Sequence, residues 1–170
     1  MLQCPNLNEI LARQLARKVW LMVRGVSTDI HYVIGSAYAA ITFSYEVAKA
    51  LGAIHGFVEK DSTDPKGKKM LWARMKIPRG ANVLQVEELI ATSGTMAEVR
   101  RAVEEGNGEP VNFLPVVGAL VHRPPKLPAD YGDRKVIALI KKKFGRSTQK
   151  IVSFAELVHF DIVPKPTGEN

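Results

Sequence analysis

A chain of 170 residues with 46% hydrophobic content is long enough for one compact domain with a substantial core. The lone cysteine, Cys4, excludes an internal disulfide framework and any cysteine-built zinc cluster, which favours a reducing compartment. A net charge of +7 and a pI of about 9.6 make polyanions welcome near the surface without choosing among them.

Residues 6–24 read as a first helix, with Leu7, Ile10, Leu11, Leu15, Val19 and Met22 on roughly one face. Asn6 and Glu9 form a candidate capping pair, Gly25 is a stop signal, and Arg13, Arg17, Lys18 and Arg24 make a solvated face. No basic segment followed by an apolar core and a cleavage site opens the chain. Residues 29–34 read as a short strand. The turn Gly35-Ser36-Ala37-Tyr38-Ala39-Ala40 then leads into a second helix that runs to about Leu51 and is closed by Gly52. Small side chains at such a turn either let backbone amides approach an anion or simply pack a helix tightly on a sheet. Residues 56–58 read as a third strand. It empties into the polar stretch 59–69, whose mixed charge, Pro65 and Gly67 have the composition of a mobile surface loop. Residues 71–77 alternate enough to be a strand of a local hairpin or the far side of the loop, and Pro78-Arg79-Gly80 is a turn.

The most informative stretch is residues 82–103. Val83, Leu84 and Val86 form a buried strand that delivers two adjacent carboxylates, Glu87 and Glu88, at its C-terminal end. Ala91, Thr92, Ser93, Gly94 and Thr95 follow as a small-residue loop, and an amphipathic helix begins near Met96. Unpaired backbone N–H groups, three hydroxyls and the positive end of a helix dipole are the physical requirements of a phosphate pocket. The neighbouring carboxylates suit sugar hydroxyls or magnesium-bound water. An ordinary βα turn, with Thr92 or Thr95 capping the helix and both glutamates solvated, is the plainer alternative. Strand, acid pair and loop in one register argue against it. Gln85 is a polar residue inside a strand that reads as buried, and it needs a hydrogen-bond partner there.

Gly106-Asn107-Gly108-Glu109-Pro110 breaks the helix. Residues 113–121 are the next buried strand, with Pro115 near its start and His122-Arg123-Pro124-Pro125 at its end. Residues 124–128 read as a rigid connection and 135–140 as a further strand. The basic run 141–146 either is solvated or touches nucleic acid. Residues 151–163 read as one more short element or part of a cap, and 164–170 as a frayed tail. The longest nearly apolar runs, residues 112–121 and 34–44, fall short of the ~20 residues of a membrane-crossing helix, so a cytoplasmic location is expected. The four histidines lack helical metal-ligand spacing, and neither a Walker loop nor a Gly-x-Ser-x-Gly elbow is present.

The stretch 82–103 resembles the phosphoribosyl pyrophosphate (PRPP) motif of the type I phosphoribosyltransferases, most like the orotate type: hydrophobic strand, two acids, two hydrophobics, then small, Thr, small, Gly, Thr. Family members usually carry an Asp in the pair, where this chain has two Glu. The likeness extends over roughly residues 29–123. It implies an α/β fold with a mostly parallel central sheet flanked by helices, a flexible loop and a small hood. It also implies magnesium-dependent transfer of a phosphoribosyl group to a nitrogenous base, with the chain acting as a homodimer. Thr92, Ser93, Gly94 and Thr95, with Ala91 before them, would hold the 5′-phosphate. Glu87 and Glu88 would hold the ribose hydroxyls, with any magnesium contact made through water. Ser36, Ala37 and Tyr38 would receive pyrophosphate, and Lys60 would supply a charge that arrives on loop closure. Arg123 would read the carboxylate of the base with its planar fork. In the orotate type an arginine precedes that lysine, an aspartate precedes that arginine, and a further segment precedes the first helix. Glu59 and His122 stand at the first two positions here. Two other readings share the motif: a phosphoribosyltransferase for a purine or another base, and a PRPP-sensing regulator that uses the basic surface to bind RNA.

Overall fold

The computed structural model describes residues 4–24, 29–92, 94–123, 134–142 and 151–152. Five parallel strands make the sheet, in the order β2 (Ile54–Phe57), β1 (Tyr32–Gly35), β5 (Asn82–Ile90), β6 (Asn112–His122) and β7 (Lys135–Lys142). The short β8 (Ile151–Val152) adds antiparallel to β7. Helices α1 (Pro5–Val23) and α2 (Ile41–Leu51) cover one face, where Leu15, Val19, Phe43 and Val47 pack on Val33, Leu84, Val86 and Leu120. Helix α3 (Gly94–Asn107) covers the other, with Val99, Ala102 and Val103 packed on Ile34 and Val83. Burial of both faces explains why β1 and β5 read as continuous apolar runs rather than alternating ones. No helix among the described residues is long and apolar enough to cross a membrane.

Helix α1 differs in detail from its sequence pattern. Its buried stripe is Asn8, Leu11, Ala12, Leu15, Ala16, Val19 and Val23, so Ile10 and Met22 face outward. The helix starts two residues earlier than the capping pair requires. Cys4 is the N-cap without a side-chain bond, Pro5 opens the first turn, and Glu9 pairs with Arg13 at 2.6 Å instead. Lys18 is not simply solvated, since its Nζ donates to the Ala138 carbonyl at 2.9 Å. Gly25 lies outside the described residues.

Residues 71–77 do not form a full strand. Only Met70–Leu71 (β4) pairs, antiparallel to Glu59–Lys60 (β3). Trp72 and Ile77 then leave the ladder to pack against α3. The Asn107 side chain supplies the hydrogen bonds that a neighbouring strand would have given, accepting from Ile77 N at 2.7 Å and donating to Ile77 O at 2.9 Å. Strand β6 carries a register shift opposite Val83 and Gln85. Pro115 sits inside that shift, where its missing N–H costs no ladder bond. The connection 124–128, the run 143–146, the cap expected beyond Val152 and the tail all lie outside the described residues.

The order β2-β1-β5 means that the chain builds outward from β1 in one direction and then returns to add β5 on its other side. Connections therefore diverge to opposite faces beyond the C-terminal ends of β1 and β5, leaving a crevice there. Gly35 ends β1 at that crevice, and α2 presses so close that an added Cβ would overlap the Ser44 side chain and stand 3.2 Å from the Ala40 carbonyl oxygen. Gly35→Ala should therefore cost roughly 1–3 kcal/mol of stability by overpacking; urea unfolding with an unchanged midpoint would contradict this close approach.

Candidate functional site

Every described candidate residue lies at the C-terminal edge of the sheet. Ser36 follows β1, Glu87 and Glu88 stand near the end of β5, and Thr92, Gly94 and Thr95 lead into α3. Arg123 follows β6, and its backbone N–H donates to Ile90 O at 2.8 Å. Lys60 lies a few residues beyond β2. Since β2, β1, β5 and β6 are consecutive neighbours in the sheet, their ends form one continuous rim around the crevice. Ala37, Tyr38 and Lys60 line a single cavity of about 230 Å³ together with Ile41, Phe57, Val58 and Glu59. The turn after β1 and the root of the loop thus meet. Larger cavities, of about 800 and 600 Å³, lie at the N-terminal edge of the sheet and between α1 and α2. They hold none of the candidate residues, and topology rather than size identifies the site.

Thr92, Gly94 and Thr95 at the start of α3 are exposed and Ala91 is half-buried, so among the described residues none packs over the helix N-terminus. Ser93 lies outside the described residues. Arg123 is exposed.

The two carboxylates do not share one environment. Adjacent residues of an extended strand project to opposite faces. Glu87 turns inward and is only 2% exposed, whereas Glu88 is half-buried. Ser36 Oγ donates to Glu87 Oε2 at 2.5 Å, and Gln85 Nε2 donates to Glu87 Oε1 at 2.7 Å. Arg134 Nη1 donates to Gln85 Oε1 at 2.9 Å, and the guanidinium also lies over the Phe113 ring at 5.7 Å. Gln85 thus has its partners. Burial pushes the Glu87 carboxyl up to about 7, against the bonds from Ser36 and Gln85 and the charge of Arg134, which favour the anion. The group can hold or release a proton near neutrality. Sequence reasoning missed Arg134, although a polar residue at Gln85 in a buried strand was the signal that some such partner had to exist.

The loop after β3 is closed on itself. Asp61 accepts from the Thr63 hydroxyl and N–H at 2.6 and 2.9 Å. Asp64 accepts from the backbone N–H groups of Lys66, Lys68 and Lys69. Lys60 Nζ donates across the loop to Gly67 O at 3.1 Å. Glu59, in place of the family's arginine, pairs with Arg74 at 2.6 Å.

Because the folded carboxyl of Glu87 sits above its ordinary value, it lends stability that is fully present below about pH 4.5 and is lost as pH rises through about 7. Unfolding free energies measured between about pH 5 and 8 should fall in the wild type by roughly 2 to 3 kcal/mol relative to Glu87→Gln, which has no proton to lose there. Parallel curves for the two proteins would count against a buried, titrating Glu87.

No protein-family profile matches the chain. Orotate phosphoribosyltransferase of Pelotomaculum thermopropionicum is 38% identical over 108 residues, which are 64% of this chain and 52% of that protein. The enzyme of the same name from Desulforamulus reducens is 37% identical over 123 residues, 72% of this chain and 57% of that one. The chain thus spans about half the length of the relatives it matches. Among solved structures, adenine phosphoribosyltransferase from Thermoanaerobacter pseudethanolicus superposes with a TM-score of 0.52 at 18% identity, covering 74% of this chain and 78% of that one. The adenine enzyme from Rhodothermus marinus gives 0.52 and 18%, covering 76% and 78%. Kinship in sequence with the orotate enzymes and a fold shared with the adenine enzymes place the chain in the type I phosphoribosyltransferase family.

Proposed function

We propose that this chain, acting as one domain and as a homodimer in the cytoplasm, transfers the phosphoribosyl group of PRPP to a nitrogenous base, orotate first, and releases pyrophosphate. The observation that carries the reading is the convergence of small-residue turns, carboxylates and cations around the crevice at the C-terminal ends of β1 and β5. The open N-terminus of α3 suits the 5′-phosphate, with Thr92, Thr95 and backbone N–H groups as donors. Glu88 borders the ribose with Glu87 buried behind it, and the turn of Ser36, Ala37 and Tyr38 faces the leaving pyrophosphate. Lys60 at the cavity wall supplies positive charge where negative charge gathers. Arg123 stands at the neighbouring strand end, within the rim that a base would occupy.

Magnesium fits the residues present. It binds through one or two hard carboxylates together with substrate phosphates, so Glu88, half-buried and acting through water, is a sufficient protein partner. When bound, the ion would neutralise charge on the departing pyrophosphate. The chain's own contribution is to orient the sugar, hold both ends of the PRPP molecule and exclude water, with no residue required as a covalent nucleophile.

Bases screened with labelled PRPP and magnesium should yield base-dependent pyrophosphate release; a complete lack of turnover combined with salt-sensitive RNA binding would favour the regulator instead. Glu88→Gln and Thr95→Ala should each weaken PRPP binding about tenfold in titration calorimetry, the worth of one lost charge-assisted contact. Unaltered affinity in both variants would remove the pocket assignment. Arg123→Ala should reduce orotate turnover by at least about tenfold while leaving PRPP affinity intact, and undiminished turnover would exclude Arg123 as the reader of the base carboxylate.

A further inference from the structure

Resting on the function proposed above, the geometry points to a division of labour between the two adjacent carboxylates. Glu88 faces the sugar, while Glu87, pinned by Gln85 and Arg134, is a positioning residue that holds Ser36 and with it the turn that receives pyrophosphate. Four observations carry this. Glu87 is 2% exposed and both of its oxygens already accept hydrogen bonds, one from Ser36 and one from Gln85. So little of it is exposed that the Ser36 turn stands between it and a ligand in the crevice. Glu88, one residue on, is half-buried, and its side chain makes no hydrogen bond or ion pair with any described residue.

The third observation is that the orientation of Gln85 is forced. Its Oε1 accepts from Arg134, a donor-only group, so its amide N–H must point the other way, to Glu87. Arg134 is itself held, 7% exposed, over the Phe113 ring, with Nη2 3.4 Å from the Met96 carbonyl in the first turn of α3. The fourth is what the chain of contacts joins. Met96 follows the candidate phosphate loop, and Ser36 opens the turn whose Ala37 and Tyr38 line the cavity shared with Lys60. A rigid polar tie therefore runs from the phosphate helix to the pyrophosphate turn, and Glu87 is its last link.

The test uses the two halves of PRPP as separate probes, pyrophosphate and ribose 5-phosphate, titrated calorimetrically in the presence of magnesium chloride. Glu87→Gln replaces an acceptor by a donor, so the new amide opposes the Gln85 N–H or reverses the Ser36 hydroxyl. It should weaken pyrophosphate about tenfold and ribose 5-phosphate by less than about twofold. Glu88→Gln should do the reverse. Gln85→Leu, which touches no substrate, should reproduce the pyrophosphate loss, and combining it with Ser36→Ala should be no worse than Ser36→Ala alone. Should Gln85→Leu fail to melt cooperatively, the pair Ser36→Ala and Glu87→Gln gives the same non-additivity. Additive losses, or Glu87→Gln weakening ribose 5-phosphate as much as Glu88→Gln does, would overturn the division while leaving PRPP binding standing. Wild-type protein that binds neither PRPP nor either half would overturn the proposed function and this inference with it.

Discussion

The hydrogen bond from Ser36 to Glu87 joins the two strands between which the sheet reverses its order. At that place the backbone leaves β1 toward the face of α2 and leaves β5 toward α3, so no main-chain bond can close the gap beyond the strand ends. A side-chain bond does so instead. It fixes the floor of the crevice, and the loops that carry Lys60, Thr92, Thr95 and Arg123 are disposed around that floor. The proposed chemistry depends on this constraint, because the 5′-phosphate and the pyrophosphate of PRPP must be gripped at a constant separation.

Placing a carboxylate there is costly unless its surroundings answer for it. A buried charge with unsatisfied acceptors would destabilise the strand by several kcal/mol. Gln85 and Arg134 answer, and each is answered in turn: Gln85 by the guanidinium and the guanidinium by Phe113 and the first turn of α3. Fully connected polar networks in a low-dielectric interior favour one arrangement over its alternatives, which is the property a binding site needs. The Glu87 carboxyl stays near its titration point because burial and these partners oppose each other.

The loop beyond β3 follows a different logic. Asp61 is held below the usual carboxylate range chiefly by the Thr63 hydroxyl, and Asp64 chiefly by the backbone N–H of Lys69. Both are therefore anions among lysines. Their bonds are local and partly solvated, so the segment keeps its shape by short-range contacts and not by packing on the core, the usual condition of a segment able to rearrange.

Sequence by itself determined the alternation of strands and helices, the small-residue loops at strand ends, and the family likeness. Those features are local: apolar periodicity, small residues at helix starts and a fixed register of acids and hydroxyls are all written within a few consecutive positions. It also marked Gln85 as a residue in need of a partner. The identity of that partner was not legible, because Arg134 is separated from Gln85 by 49 positions and meets it only when β7 has joined β6 beside β5. The same limit explains residues 72–77, whose alternation resembles a strand but whose last member, Ile77, bonds to Asn107, 30 positions on. It explains the acid pair as well. Adjacency in the chain made Glu87 and Glu88 look equivalent, and only the closed sheet, with one face packed under α3, made one of them an interior group and left the other at the surface.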